Sequence, residues 1–213
     1  MLNKFTIFGD KGKMNNALVE VGIRENILVE RFKRVNYIEK VEGQIIIDFS
    51  VPEAGFDHFQ IAQKYKKAIL ICTTGHKNLN FLHETSVPVC YAPNTSLEWL
   101  IIKRTAVEIE KNSDDNTITV DDIHHASKKD APSGTALDLI SNLNKSRNII
   151  RSIRGPAVSS WHKISFYNED QIIHLEHQVL DRRVYALGAI KLAMKLILKE
   201  PGLYTPEDLL SDC

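Results

Sequence analysis

The first ninety residues alternate short apolar runs with stretches whose apolar residues recur at helical spacing. Residues 4–8 form a β-like run, and residues 16–24 then place Ala17, Leu18 and Val21 on one helical face. A second strand is predicted over residues 27–29, ending in Glu30-Arg31. Residues 44–49 contain Ile45-Ile46-Ile47, a continuous run suited to a strand buried on both faces. Ser50-Val51-Pro52-Glu53 reads as a capping box with Ser50 as N-cap, opening a helix that runs to Lys66. Residues 68–72, 79–84 and 87–92 read as strand, short helix and strand. Alternation of this kind, joined by short loops, predicts an α/β fold with a doubly wound parallel sheet.

After Ser96 the pattern changes. A helix over residues 97–110 leads through polar residues 112–116 into a β-like run at 117–124. Another helix opens near Ser133. Residues 163–167 and 171–179 flank the turn-prone Asn168-Glu169-Asp170 as a hairpin. This half predicts an α+β domain with a mostly antiparallel sheet. A last helix, residues 185–198, stops at Pro201-Gly202, and Thr205-Pro206-Glu207-Asp208 caps a terminal turn.

Composition narrows the function. A chain of 213 residues, 43% hydrophobic and 25% charged, is neither disordered nor a disulfide-stapled mini-protein. Its 27 Lys+Arg balance 27 Asp+Glu, which argues against nucleic acid or an anionic membrane as partner. A local basic pocket for a small anion remains open. No apolar stretch reaches the roughly 18 residues that span a bilayer, and the N-terminus enters a β-like run without a signal-peptide core. Cys72, Cys90 and Cys213 form an odd set without C-x-x-C spacing, as expected of reduced thiols in a cytoplasmic protein.

Two stretches carry chemistry. Gly9, Asp10, Lys11, Gly12, Lys13 and Met14 join a strand to a helix, where glycines let backbone approach a pyrophosphate and free N–H groups attract its charge. Glu30 follows about twenty residues on, where a carboxylate can accept both ribose hydroxyls. Arg31, with Lys33 and Arg34, offers the opposite preference, a 2′-phosphate. The second stretch, His124-His125-Ala126-Ser127-Lys128-Lys129-Asp130-Ala131-Pro132-Ser133-Gly134-Thr135, gathers two imidazoles and an ammonium near the donors of Ser133-Gly134-Thr135. That composition suits a small anion with proton donors aimed at it. His174 and His177 add imidazoles, but adjacent strand residues, and residues three apart, point to opposite faces, and no zinc-like spacing occurs; no metal is expected.

The second stretch resembles the H-H-x-x-K-x-D-A-P-S-G-T signature of the dihydrodipicolinate reductase family. Further segments match in order: Gly9–Met14 resembles its G-x-x-G-R-M loop, Glu30-Arg31 its E-R pair and Asp48-Phe49-Ser50 its D-F-T/S turn. Thr73-Thr74-Gly75 resembles G-T-T-G, Ala92-Pro93-Asn94-Thr95-Ser96 resembles A-P-N-F-S, and Tyr185-Ala186-Leu187-Gly188-Ala189 resembles F-A-x-G-A. Asn15, Cys72 and Thr95 depart from the family's Gly, Gly and Phe, and the segments 31–44 and 154–162 are short.

The resemblance implies NADH or NADPH as coenzyme and a cyclic dicarboxylate, 4-hydroxy-tetrahydrodipicolinate, as substrate in lysine/diaminopimelate biosynthesis. It implies His124 as catalytic proton donor/acceptor and Lys128 as second proton donor. His125, Ser133, Gly134 and Thr135 would hold substrate carboxylates, with Arg182 nearby. The 9–14 loop, Glu30, Arg31, Cys72, Thr73, Thr74, Ala92, Pro93, Asn94 and Thr95 would line the coenzyme. A Rossmann-like domain of residues 1–95, completed by 190–213, would enclose a substrate-binding and oligomerisation domain of residues 96–189. The assembly implied is a homotetramer or a smaller oligomer. Alternatives are another two-domain NAD(P) reductase of the aspartate or sugar dehydrogenase kind, and a non-catalytic dinucleotide-binding relative.

Overall fold

Ile45, Ile46 and Ile47 are all fully buried, as a run with no polar alternation requires of a strand covered on both faces. They belong to a six-stranded parallel sheet in the computed structural model, which describes residues 3–9, 12–32, 38–113, 117–143, 148–155 and 160–211. Its elements are β1 (Lys4–Phe8), α1 (Lys13–Arg24), β2 (Leu28–Phe32), β3 (Ile45–Asp48), α2 (Gly55–Lys64), β4 (Ala68–Ile71) and β5 (Pro88–Tyr91). The second half adds α3 (Leu97–Lys111), β6 (Thr117–His125), α4 (Gly134–Ser141), β7 (Asn148–Gly155), β8 (Ser160–Tyr167) and β9 (Ile172–Val179). The chain ends with α5 (Arg183–Leu196), β10 (Gly202–Tyr204) and α6 (Pro206–Leu210).

Two compact units result: Met1–Ser96 with Arg183–Cys213, and Leu97–Arg182. The return to the first unit comes at the start of α5, earlier than residue 190, because α5 packs as one continuous helix against α1, β3, β4 and β5. In the first unit the sheet order is β10-β5-β4-β3-β1-β2, every pairing parallel. Ile46, Ile69, Ile71 and Val89 pack under α2 with Phe59 and Ala62. The intervening residues, Ile45, Ile47 and Leu70, face the other layer, since successive strand side chains alternate. Gly188 of α5 sits so close to the Thr95 backbone that any Cβ there would collide with the Thr95 carbonyl oxygen. This close approach is the physical reason for glycine in that helix.

The second unit carries a four-stranded sheet, β7-β6-β8-β9. The β6–β8 and β8–β9 pairings are antiparallel, and β6–β7 is parallel. Trp99, Ile118, Val120, Leu139, Ile164 and Phe166 form its core under α3 and α4.

Several local expectations change. The second strand extends over Glu30 and Arg31 to Phe32, because its pairing with β1 continues to Phe8. Ser50 does not cap a helix: Val51 precedes a single tight turn, Pro52–Ala54, without a side-chain cap, and the Ser50 hydroxyl lies 3.3 Å from His58 Nδ1 instead. Residues 79–84 contain one tight turn, Asn80–His83. The strands β7 and β10 were not expected; Gly202–Tyr204 adds to the sheet edge beside β5 rather than only ending the helix. Thr205 and Asp208 do form the expected capping box. Among the described residues no helix is long and apolar enough to cross a membrane.

Candidate active site

In the order β2-β1-β3, the chain changes direction at β1, so the carboxyl ends of β1 and β3 form the switch point at which open α/β sheets bind ligands. Gly9 ends β1 at φ +88°, a backbone state that L side chains rarely adopt. Gly12 is the extended N-cap of α1, and among the described residues no side chain caps that helix, whose first-turn N–H groups suit an outside acceptor. Lys13 and Met14 open the helix; Asp10 and Lys11 lie outside the described residues. Asn15 donates its amide to the carbonyls of Phe8 (2.6 Å) and Gly9 (3.0 Å), bracing the loop from beneath. This accounts for a buried amide where a glycine was expected.

Glu30 lies within β2 and not at its end. It pairs with Thr6 in the middle of β1, two residues short of the level where the Gly9 N–H donates to the Phe32 carbonyl. Its Oε2 accepts from Thr6 Oγ1 (2.7 Å) and from the backbone N–H of Glu42 (3.1 Å) and Gly43 (3.4 Å). Gly43 and Lys4 lie toward the amino end of the sheet, so the carboxylate is turned away from the switch point. Arg31 points to the other face, donating to Asn16 Oδ1 in the first turns of α1 (3.2 Å).

The loops after β3, β4 and β5 complete this edge. The Cys72 N–H and Thr73 hydroxyl both donate to the Asp48 carbonyl. Asp48 is fully buried; burial pushes its carboxyl up, but the hydrogen bonds of His58 (2.9 Å) and Ser50 (2.8 Å) outweigh this and hold it below the usual range. His58, stacked on Phe8 with centroids 4.0 Å apart, was not singled out from sequence. Cys72, Ala92, Asn94 and Thr95 are buried and shape the loops, whereas Thr74 and Pro93 keep exposed surface. Burial pushes the Cys72 thiol up, so it is an inert packing group.

In the second unit, His124 ends β6 on its buried face and His125 points to the opposite one, where its Nδ1 meets Ser127 Oγ at 2.8 Å. The two imidazoles therefore do not converge. The Lys128 ammonium contacts both oxygens of Asp130, at 2.8 and 3.0 Å. Burial raises the Asp130 carboxyl, but Lys128 and the backbone N–H of Gly134 outweigh it and hold the group low. Asp130 thus links the lysine to the start of α4. Ser133 is the N-cap of α4, accepting from the Ala136 N–H (3.2 Å), and its hydroxyl also lies 3.3 Å from His162 Nε2. Gly134 is half-buried and Thr135 buried, and Arg182 is the last residue of the unit.

Behind this loop lies a buried hub that sequence reasoning missed. Asp122, fully buried, accepts at Oδ2 from the Ser133 N–H (2.8 Å) and from Arg154 Nη2 (3.0 Å). Its Oδ1 lies 2.9 Å from His124 Nδ1 and 3.4 Å from His162 Nε2. Burial pushes the carboxyl up, yet its contacts with His124, His162 and Ser133 outweigh this and hold it well below the usual range. Burial keeps His162 below its ordinary pKa, hence neutral. Asp122, His124 and His162 present ligand atoms within 4.8 Å of one another, a spacing that suits a cation. The Arg154 guanidinium already supplies the carboxylate's countercharge, which favours a hydrogen-bonded hub.

Residues 3–95 match the family described as dihydrodipicolinate reductase, N-terminus, and residues 99–210 that described as dihydrodipicolinate reductase, C-terminus. The chain belongs to the dihydrodipicolinate reductase family. A 4-hydroxy-tetrahydrodipicolinate reductase of Thermosipho africanus is 31% identical, with 98% of each chain covered, and one of Campylobacter lari is 34% identical over 78% of this chain and 80% of its own. The fold matches a dipicolinate-bound dihydrodipicolinate reductase from Paenisporosarcina sp. TG-14, with a TM-score of 0.75 at 17% identity over 99% of this chain and 100% of that one. An aspartate dehydrogenase from Thermotoga maritima shares the fold less closely, with a TM-score of 0.55 at 11% identity over 91% and 96% of the chains. For a dihydrodipicolinate reductase the uncapped α1 N-terminus and the Gly9 turn are a fitting cradle for a dinucleotide pyrophosphate.

Proposed function

We propose that the protein reduces 4-hydroxy-tetrahydrodipicolinate to tetrahydrodipicolinate with NADH or NADPH, releasing water. The observation that carries this reading is the loop in which Lys128, Asp130 and the start of α4 meet, on a chain whose two halves both match the reductase family. The nicotinamide coenzyme supplies the hydride. Hydride addition to a ring carbon drives electron density into the conjugated system, which must be protonated elsewhere. Lys128 and His124 are the groups assigned to that proton. Gly134 and Thr135, at the start of α4, are assigned to the ring carboxylates, whereas His125, on the face of β6 opposite His124, is not. Ser133 acts indirectly, through its cap and its bond to Asp122.

The coenzyme's ribose is assigned to Arg31 rather than Glu30. With the Glu30 carboxylate engaged by Thr6, Glu42 and Gly43, the 2′ position meets a guanidinium, which favours a phosphate there. Turnover of the ring substrate tests activity and coenzyme choice together. The expected result is a higher kcat/KM with NADPH than with NADH, and loss of that preference in Arg31→Ala. No turnover with either coenzyme would reject the activity; equal preference in both proteins would reject only the role of Arg31.

We also assign a second copy of the chain to the open face of the four-stranded sheet. Ile149, Ile153 and Ile172 stand there 51%, 47% and 57% exposed, apolar side chains set among the Arg151–Asp121 and Lys163–Glu176 ion pairs that association would cover. Light scattering at micromolar concentration should give a homotetramer or a smaller oligomer; a monomer would remove the assignment.

A further inference from the structure

Strand register explains why five polar side chains meet beneath the loop that follows β6. Asp122 and His124 are two residues apart on β6 and so share its buried face. β8 sets His162 opposite Asp122 and Ser160 opposite His124, while β7 sets Arg154 beside His124. The two oxygens of Asp122 have separate duties. Oδ2 takes the Ser133 N–H, Arg154 Nη2 and the Ser152 hydroxyl at 3.3 Å, which leaves Oδ1 to the imidazoles.

His124 Nδ1 is the nearer of these, 2.9 Å from Oδ1. The oxygen sits off the ring's N–H axis, and among the described residues neither buried atom has an aligned partner elsewhere. A buried donor and a buried acceptor left unpaired at this separation are both costly, and a small ring rotation satisfies both. On the far side of the ring, His124 Nε2 lies 3.1 Å from the Ser160 hydroxyl. A carboxylate accepts only, so the nitrogen facing it carries the proton. Ser160 can then donate to Nε2.

We propose that Asp122 is the positioning residue of His124, holding its imidazole as the Nδ1–H tautomer and presenting Nε2 for proton exchange. The proposal rests on the reading of His124 as a proton-transfer group. Because Oδ2 holds the Ser133 N–H, the same carboxylate ties the imidazole to the start of α4, where the substrate carboxylates are assigned.

Long-range 15N–1H correlation spectra of histidine-labelled protein, with His124 assigned by His124→Gln, test this. The expected spectrum shows a protonated Nδ1 and an unprotonated Nε2 at pH 8. In Asp122→Asn that tautomer gives way to a mixture, kcat falls roughly 10- to 100-fold, and the KM for the coenzyme stays unchanged. A protonated Nε2 in the parent protein would overturn the proposal, even if Asp122→Asn fails to fold. Unchanged tautomer and kcat in a folded Asp122→Asn would do the same. Full turnover by His124→Gln, with the expected parent spectrum, would instead overturn the underlying reading of His124.

Discussion

Lys128→Ala is expected to lower kcat by about 10²- to 10⁴-fold while changing KM far less. A positioned acid acts on charge that appears only in the transition state, so its loss falls on kcat. Lys128 is suited to this because both oxygens of Asp130 hold its ammonium, at 2.8 and 3.0 Å, and Asp130 in turn receives the Gly134 N–H. The ammonium is thereby fixed relative to the start of α4. His124→Ala should behave similarly, and the double variant should lose less than the sum, since both groups would serve one proton-transfer step. Coenzyme binding, followed by quenching of nicotinamide fluorescence, should survive in each. If Lys128→Ala instead raises KM at constant kcat, the lysine anchors a carboxylate and does not deliver the proton. Full activity in that variant would sink the mechanism.

The parallel sheet was legible because its central strands are apolar on both faces, as in Ile45–Ile47 and residues 68–71. Thr205 was legible as a cap, and Ser133 as a helix start, because side chain and helix start lie within three residues. Ser50 shows the limit of that logic. The same local pattern lost to tertiary contacts, since Asp48 and His58 draw both its backbone and its hydroxyl away. β10 was hidden because three residues contain too little pattern to distinguish a strand from a helix stop. β7 alternates weakly, with arginines on both faces, and only its parallel register with β6 defines it.

The site divides along the same line. His124, Lys128, Ser133 and Gly134 stand in one stretch of twelve residues and could be read together. Their supporting residues could not. Arg154, Ser160 and His162 reach Asp122 and His124 through pairings thirty or more residues apart. Asp122 alone left a signal, since it precedes His124 by two and must share its face of the strand. The place of Glu30 in its strand was hidden for a related reason: strand length was underestimated, so a mid-strand carboxylate was set at the strand end.

Two arginines of β7 give the sharpest contrast in stability. Arg154→Met is expected to destabilise the second unit by about 3–5 kcal/mol, because it leaves the fully buried Asp122 carboxylate without its guanidinium. Arg151→Met removes a bidentate pair with Asp121 (2.5 and 2.8 Å), yet the Arg151 side chain is 57% exposed against 17% for Arg154. Solvent screening makes that loss much the smaller of the two. Both tryptophans, Trp99 and Trp161, lie in the second unit, so urea unfolding followed by their fluorescence reports on that unit selectively. The pH dependence has a definite sign. Burial holds His162 and His177 below their ordinary pKa, so below about pH 6.5 the unfolded chain binds protons that the folded one refuses, and stability falls. Asp122 is held low in the folded state, so its contribution is complete above about pH 4 and is lost as the pH drops further. Equal urea midpoints for Arg151→Met and Arg154→Met at pH 7 would show that the hub does not depend on its buried ion pair.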